Sequence, residues 1–320
     1  MPRRRAPKHG DCAILETGSE LLQSGYVLGP RHLQPSSECA KMIDIYSKLD
    51  CQDLINRLQA TLSAARPRVL KNIHHYPPPF QHNDGHIFEC LTCAVLSNGT
   101  RWNSLRPRLP AIKRILFGYD LIQIASLSDV AINLIYQRQI QPLSIPSRIL
   151  LTTKLQWIRD NAATFLQIQE RHGSAWHFIR DFLGVAPDPV RHCYLHPQDN
   201  ELLTYFVSGP YKLKGVGKAI CCEFFNNIGI DEFKPDVHTT RFFRRLGLHR
   251  TGLEVSQSPN DVRAIGIRIA ETLRRPRKFV DSHIWCFCAE GEGEICTADD
   301  PKCGSCMLKT KQPELCRGKL

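Results

Sequence analysis

The 320-residue sequence contains no run of eighteen or more apolar residues, which excludes a membrane-crossing helix. No stretch alternates apolar and polar residues over a useful length, so the pattern carries no signal for sheet. The start, Met1-Pro2-Arg3-Arg4-Arg5, is not followed by the apolar segment of a secretory signal. An intracellular protein is therefore expected, in the cytoplasm and nucleoid or in the nucleus, with no membrane partner. Internal repeats and long low-complexity tracts are missing as well. What remains is helical periodicity, and the expectation is an all-α protein.

Two things are abundant. The first is positive charge: 42 Lys and Arg stand against 31 Asp and Glu, a net +11. The excess is uneven, with 14 basic and 7 acidic residues between Tyr211 and Val280. Such a balance points to a polyanionic partner. The second is cysteine, 14 in all, without the short length or the signal of a secreted disulfide scaffold. Most are scattered singly, as reduced core cysteines are. Cys90 and Cys93 have metal-like spacing but lie in an apolar helix with no second pair, and read as structural. Six others crowd between Cys286 and Cys316.

Along the chain, residues 1–37 read as a basic tail without period. Residues 38–80 read as a helical segment closed by the rigid run Tyr76-Pro77-Pro78-Pro79-Phe80. Phe88–Ser97 forms an apolar helix that stops at Asn98-Gly99. Helical patterns continue through Leu105–Ile115, Leu121–Tyr136, Arg148–Glu170, Ala175–Leu183 and Glu201–Val207. The run Leu213-Lys214-Gly215-Val216-Gly217-Lys218 then reads as a tight turn opening a helix over Ala219–Asn227. Glycines two apart allow the sharp turn and bare its N–H groups, which a Cβ would obstruct. Free N–H groups at a helix start, with Lys218 beside them, suit a phosphate. Asp236 in Lys234-Pro235-Asp236-Val237-His238 is at least a helix N-cap.

These motifs resemble the endonuclease III superfamily of DNA glycosylases. Leu213–Leu246 is similar to that family's helix-hairpin-helix followed by its Gly/Pro…Asp signature. Cys296-x6-Cys303-x2-Cys306-x9-Cys316 is similar to its C-terminal Cys-x6-Cys-x2-Cys-x5-Cys, with a longer last interval. The resemblance implies two helical lobes flanking a DNA-binding cleft, a core over 81–250, and a C-terminal segment over 251–320. It implies a [4Fe–4S] cluster on Cys296, Cys303, Cys306 and Cys316. On spacing alone zinc is the alternative, and Cys288 or Cys286 could replace Cys316. It further implies a catalytic Asp236 and DNA contacts from Leu213, Gly215, Val216, Gly217, Lys218, Arg101 and His238. Asn98 would fill the gap left by a flipped base, with aromatics such as Trp102 lining its pocket. A fainter similarity ties Phe117-Gly118-Tyr119-Asp120 and Arg171-His172-Gly173-Ser174 to 3-methyladenine glycosylase I, whose zinc ligands have no counterpart here.

The expected function is a monomeric N-glycosylase acting on double-stranded DNA with a damaged or mispaired base. Asp236 would assist water attack at C1′. In bifunctional family members a lysine two residues after the second glycine attacks the sugar, and here that position is Ala219. Base removal without strand cleavage follows. The alternatives are a lyase using Lys218 or Lys214, and a non-catalytic helix-hairpin-helix that binds DNA while Asp236 only caps a helix.

Overall fold

Apolar side chains at three- and four-residue spacing must be buried together, and here they build two cores. The computed structural model describes residues 50–78, 81, 83–183, 201–248, 259–311 and 313–318. The tail expected over 1–37 and the first part of the 38–80 segment lie outside them. Among the described residues the regular structure is helical. Thr100 and Ser147 form an isolated antiparallel bridge.

Helix α1 is Cys51–Ala65, α2 is Asp84–Ser97, α3 is Leu109–Ile115, α4 is Leu121–Ala125 and α5 is Asp129–Ile135. The long helix α6 spans Leu151–His172, followed by α7, Ala175–Leu183, and α8, Glu201–Val207. Then come α9, Lys218–Ile228, α10, Val237–Arg245, α11, Pro259–Leu273, and α12, Arg277–Cys288.

Helices α2 to α9 share one core. Phe88, Leu91 and Val95 of α2 meet Ile158 and Phe165 of α6 and Phe224 and Phe225 of α9, all essentially inaccessible. The Phe88 and Phe165 rings meet edge to face at 5.4 Å. A second core joins α1, through Leu54, Leu58 and Leu62, to Phe242 and Phe243 of α10, Ile265 and Ile269 of α11, and Ile284 and Phe287 of α12. Gly266 is required there, because a Cβ would fall 2.3 Å from the Phe233 ring. The first core ends at Ile230 and the second takes up the chain from Phe233, with α1 belonging to the second.

The crossing point is a pair of buried acids. Asp231 caps α12, its carboxylate accepting from the N–H groups of Arg277 at 2.8 Å and Lys278 at 2.9 Å. Burial pushes its carboxyl up to about 6, against those two donors. Glu232 pairs with Arg263 of α11 and, at 3.0 Å, with Arg277 of α12. Neighbouring acids thus anchor the second lobe where the chain leaves the first.

Helix limits depart from the periodic pattern where polar caps intervene. Helix α2 begins at Asp84, ahead of the apolar run, because Asn83 Oδ1 accepts from His86 N–H at 3.1 Å. The expected Leu121–Tyr136 helix is broken, with Ser128 capping α5 through Ala131 N–H. Helix α6 starts at Leu151 rather than Arg148, since Arg148 N–H is bonded to Gly99 carbonyl at 2.8 Å.

Candidate active site and nucleic-acid interface

The hairpin between α8 and α9 is shaped from behind by α6. Gly215 has φ +70°, and a Cβ there would lie 2.1 Å from the Trp157 ring. Only glycine meets both demands. One turn further along α6, the Asn161 side chain clasps Lys214: its Nδ2 donates to the Lys214 carbonyl at 3.1 Å and its Oδ1 accepts from Lys214 N–H at 2.6 Å. Leu213 and Val216 point into the first core and are buried. Their side chains hold the turn in place, leaving backbone groups to face outward. Gly217 is the N-cap of α9, whose first ladder bond runs from Cys221 N–H to the Gly217 carbonyl. The N–H groups of Lys218, Ala219 and Ile220 precede that ladder, which is the helix-start arrangement that suits an anion.

The Asn98 loop is fastened to the same face of α6. Lys154 is fully buried, and its ammonium donates to the Leu96 carbonyl and Thr100 Oγ1, both at 2.7 Å. Burial lowers its pKa from the ordinary 10.5 to about 8. Gly99, at φ +66°, makes the turn, and Thr100 Oγ1 bonds Ser147 Oγ at 2.9 Å. Lys154, Trp157 and Asn161 sit at i, i+3 and i+7, so they share one helical face over a rise of about 10 Å. Leu150, which the sequence reading missed, follows the Arg148 and Ile149 that pack on Gly99 and is 74 % exposed. An isolated apolar residue gives no signal of that kind in a sequence. Arg101 pairs with Glu290 of the second lobe at 3.0 Å, both side chains exposed, and Asn103 reaches the Gly291 carbonyl at 3.2 Å. Trp102 packs partly buried against the first core.

Asp236 is the N-cap of α10. Its Oδ1 accepts from the N–H groups of His238 at 2.8 Å and Thr239 at 3.1 Å, while Thr239 Oγ1 accepts from Asp236 N–H at 3.0 Å. This reciprocal capping box fixes the carboxylate plane. Its Oδ2 faces the Lys234 ammonium at 3.5 Å, and Lys234 also meets Glu223 of α9 at 3.2 Å. Lys278 and Asp281 of α12 form a further pair at 3.4 Å. Burial pushes the Asp236 carboxyl up, but Lys234, His238 and the two backbone donors together outweigh it and leave it below the usual carboxylate range. Asp281 goes the other way: burial raises it to about 7 despite Lys278. Arg241 Nη2 donates to His238 Nδ1 at 3.0 Å, so that nitrogen is unprotonated, and burial lowers the ring's pKa. Sequence reasoning missed Glu223, Lys278 and Asp281, whose roles depend on which helices meet.

The expected cluster cysteines gather at the foot of α10. Cys296, Cys306 and Cys316 are buried and Cys303 is half-buried. They are close enough to sense one another's charge, Cys316 that of Cys296 and Cys303, and Cys306 that of Cys316 and Cys296. Backbone N–H groups of Leu308 and Lys309 point at the Cys306 sulfur, and that of Gly318 at Cys316. The Cys296 thiol is held low by a hydrogen bond with Cys288 and by Arg245, whose Nη1 lies 3.1 Å away. Among the described residues no three His, Cys, Asp or Glu side chains group so as to hold a metal ion. No described helix is long and apolar enough to cross a membrane.

No protein-family model matches the chain, and no curated protein matches it. Solved structures do. A trapped endonuclease III–DNA covalent intermediate is 18% identical with a TM-score of 0.50, covering 84% of this chain and 96% of that one. That likeness shows the fold: an all-helical, two-lobed helix-hairpin-helix architecture shared with endonuclease III. The Methanocaldococcus jannaschii 8-oxoguanine glycosylase/lyase, solved with DNA containing 8-oxoguanine, is 13% identical, covers 77% of this chain and 94% of that one, and has a TM-score of 0.39. The Staphylococcus aureus 3-methyladenine DNA glycosylase I is 18% identical, covers 51% of this chain and 85% of that one, and also has a TM-score of 0.39.

Two outcomes follow from the α6 face. Gly215→Ala should lower stability by about 1 kcal/mol or more in urea titrations, because the turn cannot keep φ +70° against Trp157. Unchanged stability would show that the turn does not depend on this glycine. Lys154 gives a pH signature. Between pH 8 and 10.5 the folded lysine is neutral while the unfolded one still binds its proton, so its contribution makes stability rise with pH across that window. Urea titrations should show this increment in the wild type and lose it in Lys154→Met. Equal slopes in both proteins would contradict it.

Proposed function

We propose that the chain is a monofunctional DNA N-glycosylase that removes a damaged or mispaired base from duplex DNA. The observation that carries the reading is the Asp236 carboxylate. It is held ionised, with one oxygen locked by the start of α10, and is tied through Lys234 and Glu223 to α9, the helix that the hairpin leads into. An N-glycosylase needs negative charge beside C1′ as the sugar becomes cationic, and a fixed carboxylate in a largely buried site supplies it without reorganisation. It can also orient the attacking water. The hairpin amides before Cys221 and Lys218 would hold a backbone phosphate. Asn98 would fill the stack vacated by the flipped base. Arg101 and His238 would contact the strand nearby. Ala219, at the start of α9, offers no amine for covalent attack, which supports hydrolysis by water.

The Cys296, Cys303, Cys306 and Cys316 thiols have the chemistry of [4Fe–4S] ligands, although no three of them converge on one ion position. The donors are thiols, and backbone N–H groups are aimed at two of the sulfurs, an arrangement that stabilises cluster thiolates. One zinc would need sulfurs about 2.3 Å from a single centre, whereas a cubane gives each thiolate its own iron. When bound, the cluster would clip the C-terminal loop to α10, near Arg241 and Arg245, and base removal requires no electron from it.

One observation favours a second reading. Asp236 completes a capping box, which would suffice to explain it in a module that only binds DNA.

End-labelled duplexes, each with one candidate lesion, should be cut by anaerobically purified protein only after alkali. Asp236→Asn separates the readings, because asparagine still caps a helix while the charge is gone. Base release should fall about 10²-fold or more with duplex affinity retained. No base release from any lesion by the wild type would leave the binding module. Cleavage without alkali would establish a lyase. Iron and acid-labile sulfide should be found at about four each per chain, and Cys306→Ser should lose them. Zinc in their place would overturn the cluster.

A further inference from the structure

Lys234 is a buried cation with two carboxylate partners on different elements. Its ammonium lies 3.2 Å from Glu223 Oε2 on α9 and 3.5 Å from Asp236 Oδ2. The side chains of all three are largely buried, with 16% exposure for Lys234 and 12% for Asp236. Its backbone is fixed too, since the Lys234 carbonyl accepts from Thr239 Oγ1 at 3.0 Å, inside the same capping box. The two oxygens of Asp236 therefore differ. Oδ1 is taken by backbone donors, and Oδ2 is set against a cation at a distance too long for a tight charge-assisted hydrogen bond, which runs to about 2.9 Å.

We propose that Lys234 is a positioning residue for Asp236: seated between Asp236 and Glu223, its ammonium aims Oδ2 and keeps the carboxylate charged while leaving that oxygen open to a reacting sugar. This rests on the glycosylase reading. The charges that bear on Asp236 come from several elements. Lys234 and His238 flank it in sequence, Glu223 faces it from α9, and Lys278, Asp281 and the Cys288 thiol lie on α12. Glu223 and Asp281 oppose ionisation of Asp236, and Lys278 offsets Asp281. Lys234 is the cation in direct reach of Oδ2, and it neutralises Glu223 at the same time. An unpaired lysine in such a place would lose its proton to burial; here Glu223, Asp236 and Asp281 raise its pKa instead. The amine is thus held as an ammonium, a state in which it cannot act as a nucleophile.

The test has two arms. The first needs no substrate: the Asp236 carboxyl is titrated by carbon NMR in full-length protein labelled at aspartate, with Asp236→Asn giving the assignment. In Lys234→Met the midpoint should rise by about one pH unit or more, and in Lys234→Arg it should stay near the wild-type value. The second arm is single-turnover base release against pH, on the lesion duplex that the wild type cuts best. The acid limb of the Lys234→Met profile should move up by the same interval, about a tenfold loss on that limb, with recovery at higher pH. An unmoved midpoint, or a loss equal at every pH, would overturn the proposal. So would a borohydride-trapped DNA adduct that Lys234→Arg abolishes, because the amine would then be a nucleophile. Should Lys234→Met fail to fold, Glu223→Gln serves: removing the opposing carboxylate should lower the Asp236 midpoint, and a rise would contradict the assignment. If the wild type releases no base, the first arm still decides whether Lys234 controls Asp236, and only the glycosylase reading falls.

Discussion

One face of α6 sets the positions of the other parts. Lys154 reaches into the Asn98 loop, Trp157 fills the space where the hairpin would carry a Cβ, and Asn161 replaces a backbone partner for Lys214. A turn and a loop far apart in sequence are thereby fixed side by side on one rigid rod. Neither could hold its shape alone. Both need a left-handed glycine, and each carries backbone groups that would otherwise be left to water. The buried ammonium of Lys154 is costly to desolvate, and its two short hydrogen bonds offset part of that cost.

The second dependence is electrostatic. Asp236, Lys234, Glu223, Lys278 and Asp281 form alternating charges where α9, α10 and α12 meet. Isolated, each would be driven neutral by burial, as Asp281 in part is. Together they let one carboxylate remain charged away from bulk water. Arg241 extends the same helix to the cysteine loop, donating to the Cys296 carbonyl at 2.9 Å, and Arg245 donates to Thr297 and Ala298 carbonyls at 2.8 and 3.2 Å. The loop is thus strapped to the helix that Asp236 opens.

How much of this could be read beforehand depends on the range of the interaction. The all-helical class, the hairpin turn and the start of α10 were legible, since spacing, glycines and a capping residue are local signals. The pairing of α1 with the C-terminal helices was not. Helix α1 shows an apolar stripe at Leu54, Leu58 and Leu62, but nothing local says that its partners are Phe287 and Ile284. Glu223 is one polar residue on an apolar helix, and only the packing of the helices sets Lys234 against it. Trp157 and Asn161 were equally silent, because a helix face states its period and not what will lie on it.

The second lobe is assembled from both ends of the described chain. Helix α1 precedes the first lobe, yet apart from Val69 and Ile73 the residues that share its core run from Phe233 on, after the whole of the first lobe. During synthesis the first lobe has all its parts and can close by itself, since domains generally fold as units. Helix α1 meanwhile carries a bare apolar stripe until α12 arrives. Asp231 and Glu232 then act at the moment of joining, giving α12 its cap and α11 its ion pair as the chain crosses between lobes. The architecture therefore makes the cover of the α1 stripe wait on helices that lie beyond the whole first lobe in the chain.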